Sequence, residues 1–283
     1  GNGANGRPVW FDRAAYEADL IVPINRVKLH TDFVGPIQSG LCKMLVIGLG
    51  NHKGCSAVHE EAPEVFAGAI EETARLILQK APVGFGIAIL ENAYDKTYAV
   101  EAVPAEHLVE REKELVQIAK GNMPYIMLDE ADVIVCGAIG KDISGAGFDP
   151  NILGRSSVLK QFVLHIPRYQ RLVLCDVTPA SHGNGIGVGL FDVITKKVAE
   201  QLDLESMYAN AIACNCLGDA SVPCTVDDEE TAIRVALKCC RNIDRDHPRI
   251  IRIQNTLHLG EIEVSEALLD AVRADSRMSL IEN

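Results

Sequence analysis

The sequence predicts an α/β fold made of two α/β domains with mainly parallel sheets. Two observations carry this. Short runs of strand character alternate with longer helical patterns along the whole chain, the order expected of βαβ units. The apolar runs DVIVC and RLVLCD are rich in Val, Ile and Leu, as strands buried on both faces are. A break in texture at residues 121–124 (GNMP) divides the alternation into domains 1–121 and 122–283.

In the first domain, residues 20–24 and 44–47 read as strands. Residues 62–81 then show helical periodicity: Pro63 stands near the start, Phe66, Ile70, Ala74 and Leu78 share a face, and Pro82 ends the run. Residues 83–90 and 97–103 are expected as strands around a turn at 92–96. Residues 105–120 read as a helix with acidic residues early and Lys120-Gly121 closing it. In the second domain, residues 132–136, 171–176 and 249–253 read as strands. Residues 190–201, 227–242 and 264–274 read as helices, and 140–155 as a glycine-rich loop. There is no internal repeat and no low-complexity segment.

Composition excludes several classes. A hydrophobic share of 48% and a charged share of 23% over 283 residues suit a globular protein with a sizeable core. The net charge of −12 argues against nucleic acid, whose phosphates are met with surplus Lys and Arg, and against an anionic membrane surface. No apolar run reaches the roughly 20 residues needed to span a bilayer. The opening GNGANGRP has neither the charged nor the apolar part of a signal peptide. It has no initiator Met and starts like a linker, which predicts a processed chain or a piece of a longer one. The 9 cysteines are irregularly spaced, without the paired CxxC of a structural zinc site, so reduced thiols and a cytoplasmic location are expected.

Three segments carry candidate chemistry. The first holds His30, Lys43 and His59. Lys43 follows SGLC and leads into the apolar MLVIGLG, and a lysine among apolar residues must find a partner, reach water or be used chemically. Lys and His are nucleophile and ligand types. Ser39, Gly40, Gly48 and Gly50 are small enough to let backbone approach a ligand. The bland alternative is a snorkelling lysine between two ordinary histidines.

The second segment is the loop GKDISGAGFDPNILGR, which follows a strand and so falls at its carboxyl end, where α/β sheets bind ligands. Lys141 and Arg155 suit a carboxylate or phosphate, and Asp142 or Asp149 could orient them; a capped surface loop with solvated charges is the alternative. The third is HGNGIGVG, residues 182–189. It is not a complete G-x-G-x-x-G fingerprint, so close backbone packing competes with anion binding. Phosphate-loop, zincin, nucleophile-elbow and kinase signatures are missing from the sequence.

The order His30, Ser39-Gly40-Leu41-Cys42-Lys43, Gly48, His59 resembles the nickel-dependent lactate racemase family, whose segment H…S-G-G-x-K…P-G…H carries a cofactor lysine and a nickel-binding histidine. Leu41 stands where the family has its second glycine, and Ile47 where it has proline. NRVKLHTDF, GKDISGAGFDPN, HGNGIGVGL and IQNTLHLGEIEVSE are similar to a divergent, lactate racemase domain-containing branch, so the resemblance runs over nearly the whole chain.

By resemblance, Lys43 holds a nickel-pincer nucleotide through a thioamide, Ser39, Gly40, Gly48 and His59 contact that cofactor, and His59 ligates the nickel. His30 is then the general acid/base, and Lys141, Asp142 and Arg155 meet the substrate. The family chemistry removes the C2 hydrogen of a small 2-hydroxy acid as hydride and returns it to either face. The family's N-terminal portion, with its phosphate loop and second catalytic histidine, has no counterpart here. The resemblance therefore implies an incomplete first domain (1–121) that requires that missing portion, and a second domain (122–283) contributing to the substrate cleft. A homo-oligomer is possible on this reading, with neither nucleic acid nor membrane as partner. The rival readings are a non-catalytic metal or metallocofactor-binding protein using His59 with cysteines such as Cys55, and a 2-hydroxy-acid oxidoreductase on the same scaffold.

Overall fold

A computed structural model describes Gly6 and residues 8–281. Most of the linker-like opening therefore lies outside the described residues. The fold is α/β with two sheets, and the chain divides into two units, Gly1–Met123 and Pro124–Asn283.

In the first unit, α1 (Arg13–Tyr16) is a single turn capped by the Asp12 carboxylate, which accepts the Ala15 N–H at 2.8 Å. Strand β1 (Ile24–Arg26) begins at the last residue of the expected strand 20–24, residues 20–23 contributing an isolated bridge from Ile21 to Val83. Four helical pieces follow: α2 (Leu41–Lys43), a π-helical turn (Met44–Gly48), α3 (Asn51–His59) and α4 (Pro63–Lys80). Strands β2 (Phe85–Glu91) and β3 (Thr97–Pro104) form a hairpin, and α5 (Leu108–Asn122) closes the unit. The sheet order is β1-β2-β3, parallel between the first two and antiparallel in the hairpin. Asn92 sets the hairpin turn by accepting the N–H groups of Tyr94 and Lys96 on its side-chain oxygen.

The expected strand at 44–47 is a helix instead. A short apolar run cannot by itself distinguish a buried strand from a buried helix segment. Here Leu41, Cys42 and Leu45 are fully buried and Val46 nearly so. Burying each such aliphatic side chain is worth about 2 kcal/mol, well above the few tenths of a kcal/mol that separate helix propensities at Val46 or Ile47. Glycines permit the tight geometry: a Cβ on Gly50 would lie 2.1 Å from the Val46 carbonyl oxygen. The Leu49 N–H reaches back to the Met44 carbonyl at 2.9 Å, the wide-turn bond of a π-helix.

The second unit runs β4 (Val133–Cys136), α6 (Pro150–Leu153), β5 (Arg171–Leu174), β6 (Val193–Thr195), α7 (Lys196–Gln201), α8 (Leu204–Ala213), β7 (Cys224–Val226), α9 (Glu229–Lys238), β8 (Ile250–Ile253), β9 (Ile262–Val264) and α10 (Leu269–Ala274). The sheet order is β7-β6-β5-β4-β8-β9, parallel throughout except for β9. Strand β4 is buried on both faces: Ile134 and Cys136 join one core, and Val133 and Val135 pack with Ala232 and Ala236 of α9 in the other. The order reverses between β4 and β8, which makes the carboxyl ends of these two strands the unit's topological switch point. The helix expected at 190–201 is a strand followed by a short helix, because Asp192 and the run Val193–Thr195 extend the parallel sheet beside β5.

Candidate functional site

Lys43 and His30 meet. Residues 28–39 form a loop closed by a two-bond bridge between Lys28 and Ser39, at 3.0 and 3.1 Å, and this closure brings His30 over the helix that carries Lys43. Inside the loop, the buried Gln38 accepts the His30 backbone N–H at 2.8 Å and donates to the Gly35 carbonyl at 3.1 Å. The imidazole packs on Phe33, with ring centroids 4.3 Å apart, and Phe33 packs in turn on Phe66 of α4. Lys43 Nζ lies 2.5 Å from His30 Nε2.

The contacts around this pair bear on its protonation. His30 Nδ1 accepts the Asp32 backbone N–H at 3.0 Å, so Nδ1 carries no proton. A neutral imidazole then bears its proton on Nε2 and donates to Lys43, which must accept through a lone pair. An ammonium at Lys43 would force the proton onto Nδ1, against the Asp32 N–H. Both contacts hold together only for a neutral imidazole and a neutral amine. Burial pushes the Lys43 amine below its ordinary range, opposed in part by the Asp32 carboxylate and the Cys55 thiol. A neutral amine is a nucleophile.

The helix that carries Lys43 is met at its start by a residue the sequence reading missed. Glu112 of α5 is fully buried, and one carboxylate oxygen accepts the Cys42 N–H at 2.9 Å. Burial raises its pKa to about 7, against hydrogen bonds from the Cys42 and Leu41 N–H groups that lower it. A signal was present: Glu112 falls at helical spacing among Leu108, Val109, Leu115 and Val116, all buried.

Of the other expected residues in this unit, Ser39 forms the bridge to Lys28, and Gly40 opens the helix with its Cα against Glu112. Gly48 ends the π-turn on the exposed side. His59 ends α3, but its side chain lies outside the described residues. Among the described residues, no group of three or more His, Cys, Asp or Glu could hold a metal ion. Met44, the first residue of the π-turn, and Leu49, the residue after it, line an apolar cleft of about 340 Å³ with Leu20, Ile21 and Ile24.

In the second unit, Lys141 and Asp142 share a loop anchored at its base. The Lys141 N–H donates to Ser181 Oγ at 2.8 Å, its ammonium reaches the Gly145 carbonyl at 2.6 Å, and the Thr178 hydroxyl donates to the Asp142 carboxylate. Arg155 is engaged elsewhere: it donates to the Leu190 carbonyl at 2.9 Å, pairs with Asp192 at 2.7 Å and lies over the Tyr169 ring. This is the bonding of a brace between β5 and β6. The glycines of residues 182–189 serve packing. A Cβ on Gly187 would lie 2.4 Å from the Ala146 carbonyl, and one on Gly147 would lie 2.0 Å from that of Ile186. No helix begins at Leu190, so no N-terminal dipole stands there to attract an anion.

Fold and site together give an α/β chain in which a lysine amine, its pKa lowered by burial, lies against a histidine imidazole. No family model matches the chain, and no curated protein matches it. Among solved structures it is similar to the lactate racemase apoprotein from Thermoanaerobacterium thermosaccharolyticum, with a TM-score of 0.47 and 13% identity over 91% of this chain. The chain spans 66% of that protein's length. Among the described residues, no helix is long and apolar enough to cross a membrane.

Proposed function

We propose that this chain is the larger part of a racemase or epimerase of a small 2-hydroxy acid that carries a nickel-pincer nucleotide on Lys43. The observation that supports the reading is the His30–Lys43 contact, which brings two residues of the lactate racemase-like motif together.

The residues fit the tether. Thioamide formation needs an unprotonated amine, and burial lowers the Lys43 pKa toward that form. His59 would be the nickel ligand, imidazole being a suitable donor for nickel. When bound, the nucleotide would supply the acceptor for the C2 hydrogen of the substrate. The chain's own contribution would be proton handling: with the nucleotide on Lys43, its nitrogen no longer offers a lone pair to His30. Nε2 can then take the substrate hydroxyl proton in the tautomer that bears the ring's own proton on Nδ1. There the Asp32 N–H contact gives way to a donor facing the Asp32 carboxylate 3.9 Å away. Lys141, with Asp142 beside it, is the candidate for the substrate carboxylate. Arg155 is not needed for that role, its donors being used within the fold.

This reading also requires the N-terminal portion of the family and a reducing, cytoplasmic setting for the cysteines. The test is nickel content and racemisation by the full-length protein made together with a cofactor-making system. Lys43→Ala should abolish cofactor retention and turnover; normal nickel and activity in that variant would remove the proposal.

A further inference from the structure

Helix α2 begins in a place where its own sequence cannot satisfy it. The first N–H groups of a helix have no partner within it. Capping falls to the preceding side chain, but that residue is Gly40, which has none. Water is no substitute, because Leu41 and Cys42 are fully buried. Two buried N–H groups at the head of the helix bearing Lys43 must therefore be met from another element.

Glu112 meets them. It reaches across from α5, which follows the hairpin in sequence, and one oxygen accepts the Cys42 N–H at 2.9 Å. The Leu41 N–H and the Cys42 thiol bond to the same carboxylate. The fit is close: a Cβ on Gly40 would lie 2.6 Å from the carboxyl carbon and 2.8 Å from both oxygens. Gly40 is therefore the gap through which the carboxylate reaches the backbone. Lys43 is the next residue after the clamped Cys42, and the π-turn starts immediately beyond it. The first turn, held also by the Asn25 amide donating to the Gly40 carbonyl at 2.9 Å, sets the direction in which the lysine leaves the helix.

We propose that Glu112 is the positioning residue of Lys43, its carboxylate clamping the helix at Leu41 and Cys42 so that the lysine amine meets His30. The significance of this clamp rests on the reading of Lys43 as the reactive lysine. Its geometry does not depend on which group Lys43 carries.

Two conservative variants separate reach from charge. Glu112→Gln keeps the length and an accepting oxygen but removes the charge. Glu112→Asp keeps the charge but withdraws it by one methylene. The readout is competitive labelling of the full chain with acetic anhydride across a pH series, followed peptide by peptide, with exposed Lys28 and Lys96 as internal references. In the wild type the Lys43 midpoint should lie below the references. Glu112→Gln should leave it there, and Glu112→Asp should move it toward the references by about one pH unit as the amine leaves its buried position. An unmoved midpoint in Glu112→Asp, or an equal movement in Glu112→Gln, would overturn the proposal. If Glu112→Asp does not fold, amide hydrogen exchange in the wild type decides instead. The clamp requires Cys42 to exchange as slowly as the buried amides of α5, and exchange at the rate of a frayed first turn would contradict it. Neither readout depends on nickel loading, so the clamp can fail while the racemase reading stands, and the reverse.

Discussion

His30 Nε2 and Lys43 Nζ stand 2.5 Å apart, and the bond from the Asp32 backbone to His30 Nδ1 decides which of them donates. With Nδ1 accepting, a neutral imidazole donates its Nε2–H to the amine. Taking the imidazole away should return the lysine toward ordinary behaviour. We predict that His30→Ala raises the Lys43 labelling midpoint by on the order of one unit, equivalent to ~1.4 kcal/mol, because water then reaches and solvates the ammonium. Titration of the Lys43 peptide checks this, and an unchanged midpoint would mean that burial alone sets the amine.

Glu112 should leave a signature in the pH dependence of stability. Its pKa rises from the ordinary 4.5 to about 7 on folding, so the folded state holds a proton that the unfolded state has released. Stability from this group is complete below about 4.5, declines through the window between the two values and is lost above about 7. The full penalty is of order 3 kcal/mol at one pKa unit per ~1.4 kcal/mol. Denaturant midpoints for wild type and Glu112→Gln should therefore diverge in favour of Gln as pH rises from 5 to 8. Parallel curves would show that Glu112 titrates normally.

Two glycines give opposite expectations. Gly40→Ala drives a methyl group into the Glu112 carboxylate and should destabilise the chain by about 1–3 kcal/mol, the cost of overpacking. Gly68, exposed within α4, has open space around its Cβ position, and Gly68→Ala should stabilise by about 0.5–1 kcal/mol through helix propensity. Thermal melts of the two variants check both signs.

Arg155 should behave as a structural brace. Arg155→Lys loses the forked contact to Asp192 and Leu190 and the stacking on Tyr169, and is expected to cost roughly 1–2 kcal/mol. The accompanying expectation is that the KM of the loaded enzyme moves little. A large KM effect with unchanged stability would return Arg155 to the substrate.

Much of this arrangement was legible in the sequence, and the parts that were not share a cause. The alternation that predicts α/β, the helix expected over 62–81 and the two strands around the turn at 92–96 are local patterns. Each is present in the structure, the helix as Pro63–Lys80 and the strands as an antiparallel pair. The run at 44–47 is helical because Gly40 and Gly50 admit tight contacts and Leu41 and Leu45 are packed within the fold, neither of which periodicity reports. Strands β6, β7 and β9 are three residues each, too short to show a period before their neighbours are known. In the site, Lys43 and His30 stood out by residue type, whereas Glu112 did not. It lies far along the chain in a helix full of glutamates, and only its buried neighbours at helical spacing set it apart from the solvated ones.

The most direct test of the central claim is the mass of the tryptic peptide containing Lys43, taken from the full-length protein produced with a cofactor-making system. The account predicts a stoichiometric increment on Lys43 that appears together with bound nickel and vanishes in Lys43→Ala. An unmodified Lys43 in protein that retains nickel, or that racemises a 2-hydroxy acid, would contradict it.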